Sequence, residues 1–159
     1  MRKRFEVQYE LGAKPIDKIL LPLRSRDELP PVLAALQYIY ITPELNKAVF
    51  DILEKKVLSG KNNRMGRPGM SLWEILVFAV VRLTLDANYD RLEHIANYDS
   101  LVRSLLGIPM FGDNQKKYPL QTLKDNVDFL DEETLAQINE LVVNSGHALL
   151  KKKKRKRSG

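Results

Sequence analysis

The sequence predicts an all-α protein, a compact bundle of about six helices with a helix-turn-helix-like element. Apolar residues recur at helical spacing in one segment after another, and Ser, Thr or Asp side chains stand where these segments begin. No stretch has the pattern of a parallel sheet. The chain has 159 residues, 44% of them hydrophobic, so it is long enough to bury a core.

Three parts follow one another along the chain. Residues 1–24 hold two prolines and a short alternating apolar stretch, which predicts an extended N-terminal arm. Residues 25–150 form the helical domain, with the basic loop GKNNRMGRPGM at residues 60–70 inside it. Residues 151–159 form a basic tail, which we expect to be disordered because its like charges repel.

The first two predicted helices both begin beside proline. Pro30 and Pro31 are tolerated only in a first helical turn, so a helix follows them to about Tyr40. Thr42 then caps a second helix with Pro43 as its first residue, and this helix ends near residues 59 and 60.

The clearest helix start lies in the middle of the chain. Ser71 and Glu74 have the spacing of a capping box, in which each side chain binds the other residue's free backbone N–H. The run ILVFAVVRLTL follows and is apolar on all sides to Leu85, which indicates that neighbouring helices surround it. We therefore expect this helix at the centre of the core.

Several shorter helices follow the central one. Asp90 and Glu93 resemble a second capping pair before a short helix, and another short helix ends at Gly107. Their tight join predicts the helix-turn-helix-like element. After a loop, apolar residues at helical spacing predict a helix from Leu120, and Asp131 begins the last one.

The positive charge of the chain is concentrated in its tail. The net charge is +6, but seven of the 26 Lys and Arg residues lie at positions 151–157, which leaves 19 basic residues against 20 acidic ones before them. Attraction to nucleic acid must therefore be argued locally rather than from the overall charge.

The residue types argue against several chemistries. The chain has no cysteine and only two histidines, His94 and His147, which lie far apart. We expect no metal site and no cofactor in this chain. No glycine-rich phosphate loop, G-x-S-x-G or H-E-x-x-H is present. Most acidic residues stand at helix starts, where capping explains them, so we predict no catalytic residue.

Polar side chains in two helices are candidates for reading DNA. Ser100, Arg103 and Ser104 are predicted to face outward from one short helix. A second candidate stretch comprises Gln121, Thr122, Lys124 and Asn126. The alternative interpretation of each is an ordinary amphipathic helix with a polar face.

Further cations are candidates for binding phosphates without sequence preference. Two lie in the basic loop, and the others belong to the tail, which is alternatively a solvated end without function. These residues are Arg64, Arg67, Lys151, Lys152, Lys153, Lys154 and Arg155.

Several stretches together resemble the N-terminal region of InsH-type bacterial insertion-sequence transposases. They are RKRFEVQYELG, LPLRSRDELPPVL, GRPGMSLWEILVFAVVRL, NYDRLEHIANYDSLVRSLLG and LQTLKDNVDFLDEETLAQINELVV. The resemblance implies a helical domain that helps to recognise terminal inverted repeats and to hold the synaptic complex together. By position, residues 89–107 and 121–126 are where helix-turn-helix-like elements of the family would lie.

In the family, this domain precedes an RNase H-like core whose Asp-Asp-Glu triad binds two magnesium ions. None of the acids in this chain corresponds to that triad, so we expect a truncated, non-catalytic polypeptide, with magnesium needed only by the missing core. The expected partners are double-stranded DNA bearing terminal inverted repeats and further copies of the chain or full-length transposase.

Three interpretations remain open at this point. The chain is a DNA-binding domain that regulates transposition without cutting DNA, a subunit of an active transposase completed by frameshifting or by a second chain, or a remnant without activity. The most apolar stretch, Leu72 to Leu85, is too short to span a bilayer, and no secretory signal follows the basic start. We expect a location in the bacterial cytoplasm, at the nucleoid.

Overall fold

The computed structural model describes residues 16–19, 21, 29–59, 70–109, 116–128 and 130–144. In these segments a short 3₁₀ helix is followed by seven α-helices, which confirms the all-α bundle. The 3₁₀ helix is Ile16–Lys18, and the α-helices are α1 Leu29–Ile41, α2 Pro43–Ser59, α3 Leu72–Leu85, α4 Tyr89–Tyr98, α5 Ser100–Leu105, α6 Leu120–Val127 and α7 Glu132–Asn144.

Helix α3 is the centre of the core, as the sequence predicts. Ten consecutive residues, from Leu72 to Val81, are buried, because α1, α2, α4 and α6 all pack around the helix. The capping box is formed in both directions: the Glu74 amide donates to Ser71 Oγ over 3.2 Å, and the Ser71 amide donates to Glu74 Oε1 over 2.9 Å. Local caps and burial thus favour the same helix.

An aromatic cluster joins the front helices to α3. The Trp73 ring lies 5.4 Å from the Tyr40 ring and 6.4 Å from the Phe50 ring, measured between centroids. Its indole N–H donates to the Leu105 carbonyl over 2.9 Å. This single tryptophan therefore connects α1, α2 and the end of α5 while its polar atom stays paired.

The starts of α2, α4 and α7 are set by the polar residues that precede them. The Thr42 carbonyl accepts the first bond of α2 from Asn46 N–H over 2.8 Å, with Pro43 as first residue. Asp131 accepts from the Thr134 amide over 2.8 Å and so begins α7, as predicted. The predicted cap of α4 is wrong: Asn88, not Asp90, accepts from the Arg91 amide, over 2.8 Å.

The expected extended arm is wrong for residues 16–19. Ile16–Lys18 form the 3₁₀ helix, and Ile16 and Ile19 are buried against α1. The Gln37 side-chain amide donates to both of their carbonyls, over 2.8 and 2.9 Å. Two isoleucines three residues apart gain more from burial than from an extended course over the surface. The rest of the predicted arm, apart from residue 21, lies outside the described residues.

Candidate nucleic-acid interface

Helices α4 and α5 meet at a single residue, Asp99. The Asp99 amide closes α4 by donating to the Ile95 carbonyl, and its carboxylate accepts from the Val102 amide over 3.0 Å to begin α5. After α5, Gly107 has φ of 75°, a left-handed conformation that glycine adopts without a Cβ clash. The chain returns at residues 116–119 and enters α6, which packs on α4 and α3.

Helix α6 presents a polar face to solvent at its beginning. Leu123 and Val127 are buried, whereas Gln121 and Lys124 are exposed. Pro119 precedes the helix and makes no side-chain capping hydrogen bond. The amides of the first turn lie at the positive end of the helix dipole, which favours negative groups.

Lysines surround this beginning of α6. Residues 116–124 contain three lysines and no acid, and the side chains of Lys116, Lys117 and Lys124 are all exposed. Ammonium groups can contact phosphates, and side-chain amides such as that of glutamine can pair with base edges. The Gln121 amide nitrogen donates to Asp125 Oδ1 over 2.8 Å, which directs the side chain along the helix.

The prediction that Arg103 faces outward is wrong. Only 8% of this residue is exposed, because both ends of its guanidinium are used within the protein. Nη1 donates to the Ala96 carbonyl and Nη2 to the Lys116 carbonyl, each over 2.8 Å. Of its predicted partners in α5, Ser100 is exposed and Ser104 is half-buried.

Asn126 is also buried, with 6% of the residue exposed, which corrects its placement on a DNA-reading face. It lies beside Val127 on the inner side of α6. Its side-chain oxygen accepts from the Met70 amide over 3.4 Å, and its side-chain nitrogen donates to the Thr122 carbonyl over 2.8 Å. Thr122 itself is half-buried. Gln121 and Lys124 are therefore the exposed members of this predicted set.

The sequence-based prediction missed the part of the site that comes before α6. Lys116 and Lys117 lie in the predicted loop, where an adjacent pair of lysines was the available signal. The Lys116 ammonium also contacts Glu74 Oε2 at 2.6 Å, and the Tyr118 hydroxyl donates to the same oxygen over 2.5 Å. Nothing in the local pattern connects Glu74, 42 residues away from Lys116, with this segment.

Glu74 stays ionised although it is buried. Desolvation raises the pKa of its carboxyl group, but hydrogen bonds from Lys116, Tyr118 and the Ser71 amide outweigh it and leave the pKa lowered. Burial, together with the adjacent Glu74 charge, raises the pKa of Tyr118 far above its ordinary range. The tyrosine therefore remains a hydrogen-bond donor to the carboxylate at neutral pH.

Two acidic residues next to α4, Asp86 and Asp99, serve helix ends. Asp99 caps α5, and Asp86 closes α3 with φ of 48°. Among the residues that the structure describes, no three His, Cys, Asp or Glu side chains are grouped so as to hold a metal ion. His94 is exposed, and its ring lies 4.9 Å from that of Tyr98.

Some predicted contacts cannot be placed on this surface. Arg64, Arg67 and the tail residues 151–155 lie outside the described residues. Within the described segments, none of the helices has both the length and the apolar character needed to cross a bilayer.

Comparison of the chain with family models, with curated proteins and with solved structures found no match.

Proposed function

We propose that this chain is the DNA-binding and assembly domain of a transposase and recognises transposon ends. The observation that carries the proposal is the polar face at the beginning of α6, where Lys116, Lys117, Gln121 and Lys124 are exposed and no acid intervenes before residue 125. The resemblance of several stretches to the N-terminal region of InsH-type transposases supports the same function.

The three basic parts of the chain have different roles in this proposal. The seven cations of residues 151–157 supply salt-dependent attraction to any duplex. The α6 face supplies the preference for one sequence, because its side chains are held on a packed helix and include an amide for base edges. Arg64 and Arg67 add phosphate contacts.

The chain acts by binding rather than by cutting. The carboxylates of Asp99 and Asp131 accept hydrogen bonds from backbone amides of α5 and α7. This capping role differs from holding a metal ion. In this proposal, cleavage and its magnesium belong to the nuclease core of a transposase, with which this domain, or another copy of it, assembles at the nucleoid. By occupying the ends, it regulates transposition.

The test is a binding titration with two fluorescent duplexes of equal length. One carries the inverted repeats that flank the coding sequence in its genome, and the other carries the same bases in scrambled order. We expect affinity for the repeat duplex to be at least tenfold higher at physiological salt. Equal affinities, or a coding sequence without flanking repeats, would contradict end recognition.

A second measurement separates binding from catalysis. The protein is incubated with magnesium and the repeat duplex, and the strands are resolved by denaturing electrophoresis. We expect both strands to remain intact at protein concentrations that saturate binding. Nicking at the repeat boundary by the purified chain would instead favour an active transposase subunit.

A further inference from the structure

The backbone segment that leads into α6 is held by side chains from two other helices. Arg103 of α5 bridges the Ala96 carbonyl at the end of α4 and the Lys116 carbonyl, with two bonds of 2.8 Å. Because a guanidinium is planar and its donors are fixed relative to one another, these two bonds determine the distance between the two carbonyls.

Asn97 of α4 holds the next part of the segment. Its side-chain oxygen accepts from the Tyr118 amide over 2.8 Å, and its nitrogen donates to the Tyr118 carbonyl over 3.0 Å. The same nitrogen donates to the Glu93 carbonyl over 2.9 Å. One carboxamide thus satisfies both backbone groups of Tyr118, as a neighbouring strand would in a sheet.

Glu74 of α3 anchors the side chains of the same segment. Its Oε2 accepts from the Lys116 ammonium over 2.6 Å and from the Tyr118 hydroxyl over 2.5 Å. The Tyr118 ring is buried and stands edge-on to Phe78, with 4.8 Å between the centroids. The segment is therefore fixed to the central helix as well as to α4 and α5.

The far end of α6 is fixed in a similar way. The Tyr89 hydroxyl donates to Asp128 Oδ1 over 2.8 Å, and the Arg82 guanidinium lies 4.3 Å from the centre of the Tyr89 ring. Asn126 accepts from the Met70 amide in front of α3. Helix α6 is tied to the bundle at both ends, so its exposed face has one orientation.

We infer that Arg103 is a positioning residue for DNA recognition, acting through the Lys116 carbonyl to fix the beginning of α6 while making no contact with DNA itself. This inference rests on the proposed function. Sequence preference requires the side chains at the start of α6 to meet base edges in a fixed geometry, whereas attraction of the cations to phosphates tolerates movement. Loosening the segment therefore lowers the preference and spares non-specific binding.

The test compares R103K with R91K in the full chain. Both substitutions keep the charge, but a lysine in place of Arg103 has no rigid fork to bridge two carbonyls, whereas Arg91 is exposed on α4. Hydrogen exchange at the Tyr118 amide, measured without DNA, reports how firmly the segment before α6 is held. Titrations with the repeat and scrambled duplexes report the preference.

We expect R103K to speed exchange at the Tyr118 amide by on the order of tenfold, the effect of losing a hydrogen bond from a charged donor. We also expect it to reduce the preference for the repeat duplex several-fold while affinity for the scrambled duplex stays within twofold (about 0.4 kcal/mol from RT ln 2). R91K should leave both readouts unchanged. Y118F, which removes only the bond to Glu74, should change both in the same direction and to a smaller extent.

Each other outcome overturns a stated part of this account. If R103K and Y118F speed exchange but keep the full preference, the segment is structural and Arg103 does not position the reading face. Unchanged exchange refutes the bridge itself, and clearly weakened binding of the scrambled duplex contradicts the statement that Arg103 makes no contact with DNA. A wild-type protein without preference, in which R103K still speeds exchange, refutes the proposed function instead.

Discussion

Replacing Glu74 by glutamine tests how the central helix and the segment before α6 are joined. The carboxylate accepts three hydrogen bonds, from the Ser71 amide over 2.9 Å, the Lys116 ammonium over 2.6 Å and the Tyr118 hydroxyl over 2.5 Å. Glutamine has the same shape but only one accepting oxygen. Whichever way its amide turns, its nitrogen faces a donor that the carboxylate had satisfied.

The magnitude follows from which of these bonds are shielded from water. The Lys116 side chain is 55% exposed, so its ion pair is screened and contributes little. The Tyr118 and Ser71 bonds involve a carboxylate that is 11% exposed, and a buried hydrogen bond to a charged group is worth about 1.5–3 kcal/mol. We therefore expect E74Q to lower the free energy of unfolding by about 2–3 kcal/mol, which corresponds to roughly 5–10 °C in Tm for a chain of this size.

The assay is urea unfolding at neutral pH, followed by circular dichroism of the helices. E140Q, at an exposed position on α7, is the matched control and should stay within about 0.5 kcal/mol of wild type. A double-mutant cycle with Y118F should give a coupling free energy of about 1–2 kcal/mol. A loss below about 0.5 kcal/mol, with no coupling to Tyr118, would refute the reasoning.

The pH dependence of the same variant has a definite sign. The pKa of Glu74 is lowered in the folded protein from its ordinary value of 4.5, so the charged carboxylate stabilises the fold above that pH. This stability is lost as the pH falls below 4.5 through the folded-state pKa. The difference in unfolding free energy between wild type and E74Q should therefore be constant near neutral pH and shrink in acid. A difference that grows in acid would contradict this assignment.

Three further predictions concern other parts of the bundle. Asp86 has φ of 48° at the end of α3, so D86G should raise the free energy of unfolding by about 0.5–1 kcal/mol, whereas D90G inside α4 should lower it by about as much; urea titrations that give both variants the same sign would contradict the left-handed cap. W73F leaves the Leu105 carbonyl without its indole donor and should cost about 2 kcal/mol in thermal unfolding; a change within 0.5 kcal/mol would mean that this bond contributes little. Burial and the bond to Asp128 raise the pKa of Tyr89 to about 12, so wild type should lose stability between about pH 10 and pH 12; in unfolding series across that range, Y89F should show a smaller loss, and equal losses would contradict the raised pKa.

Local signals in the sequence were sufficient to predict the α-helices. Ser71 and Glu74 predict α3 because their two hydrogen bonds close within one turn, and an apolar run on all sides predicts its burial. Asn88 was missed as the cap of α4 because Asp90 and Glu93 have the same capping chemistry two residues later. Side-chain type locates a helix start only to within a few residues.

The candidate site depends on contacts that local patterns do not contain. Arg103 was expected at the surface because arginine is usually exposed. It is buried instead, because its guanidinium donates to the carbonyls of Ala96 and Lys116. Asn126 is buried for the same reason, since the Met70 amide needs an acceptor. Gln121 and Lys124 are exposed as predicted, because they lie three residues apart on a face of α6 that does not include the buried Leu123 and Val127.

The central claim is that the exposed lysines at the beginning of α6 bind DNA. The salt dependence of DNA binding tests this claim most directly. The repeat duplex is titrated at several salt concentrations with wild type, with K117Q/K124Q, and with K18Q/K55Q. The two lysines of this control are also exposed but belong to the 3₁₀ helix and to α2. Each lost phosphate contact lowers the slope of log affinity against log salt by about 0.9, so K117Q/K124Q should lose roughly 2 units of slope while K18Q/K55Q keeps the wild-type slope. Identical slopes for the two double variants, or wild-type protein that does not bind DNA at low salt, would contradict the claim that this face binds DNA.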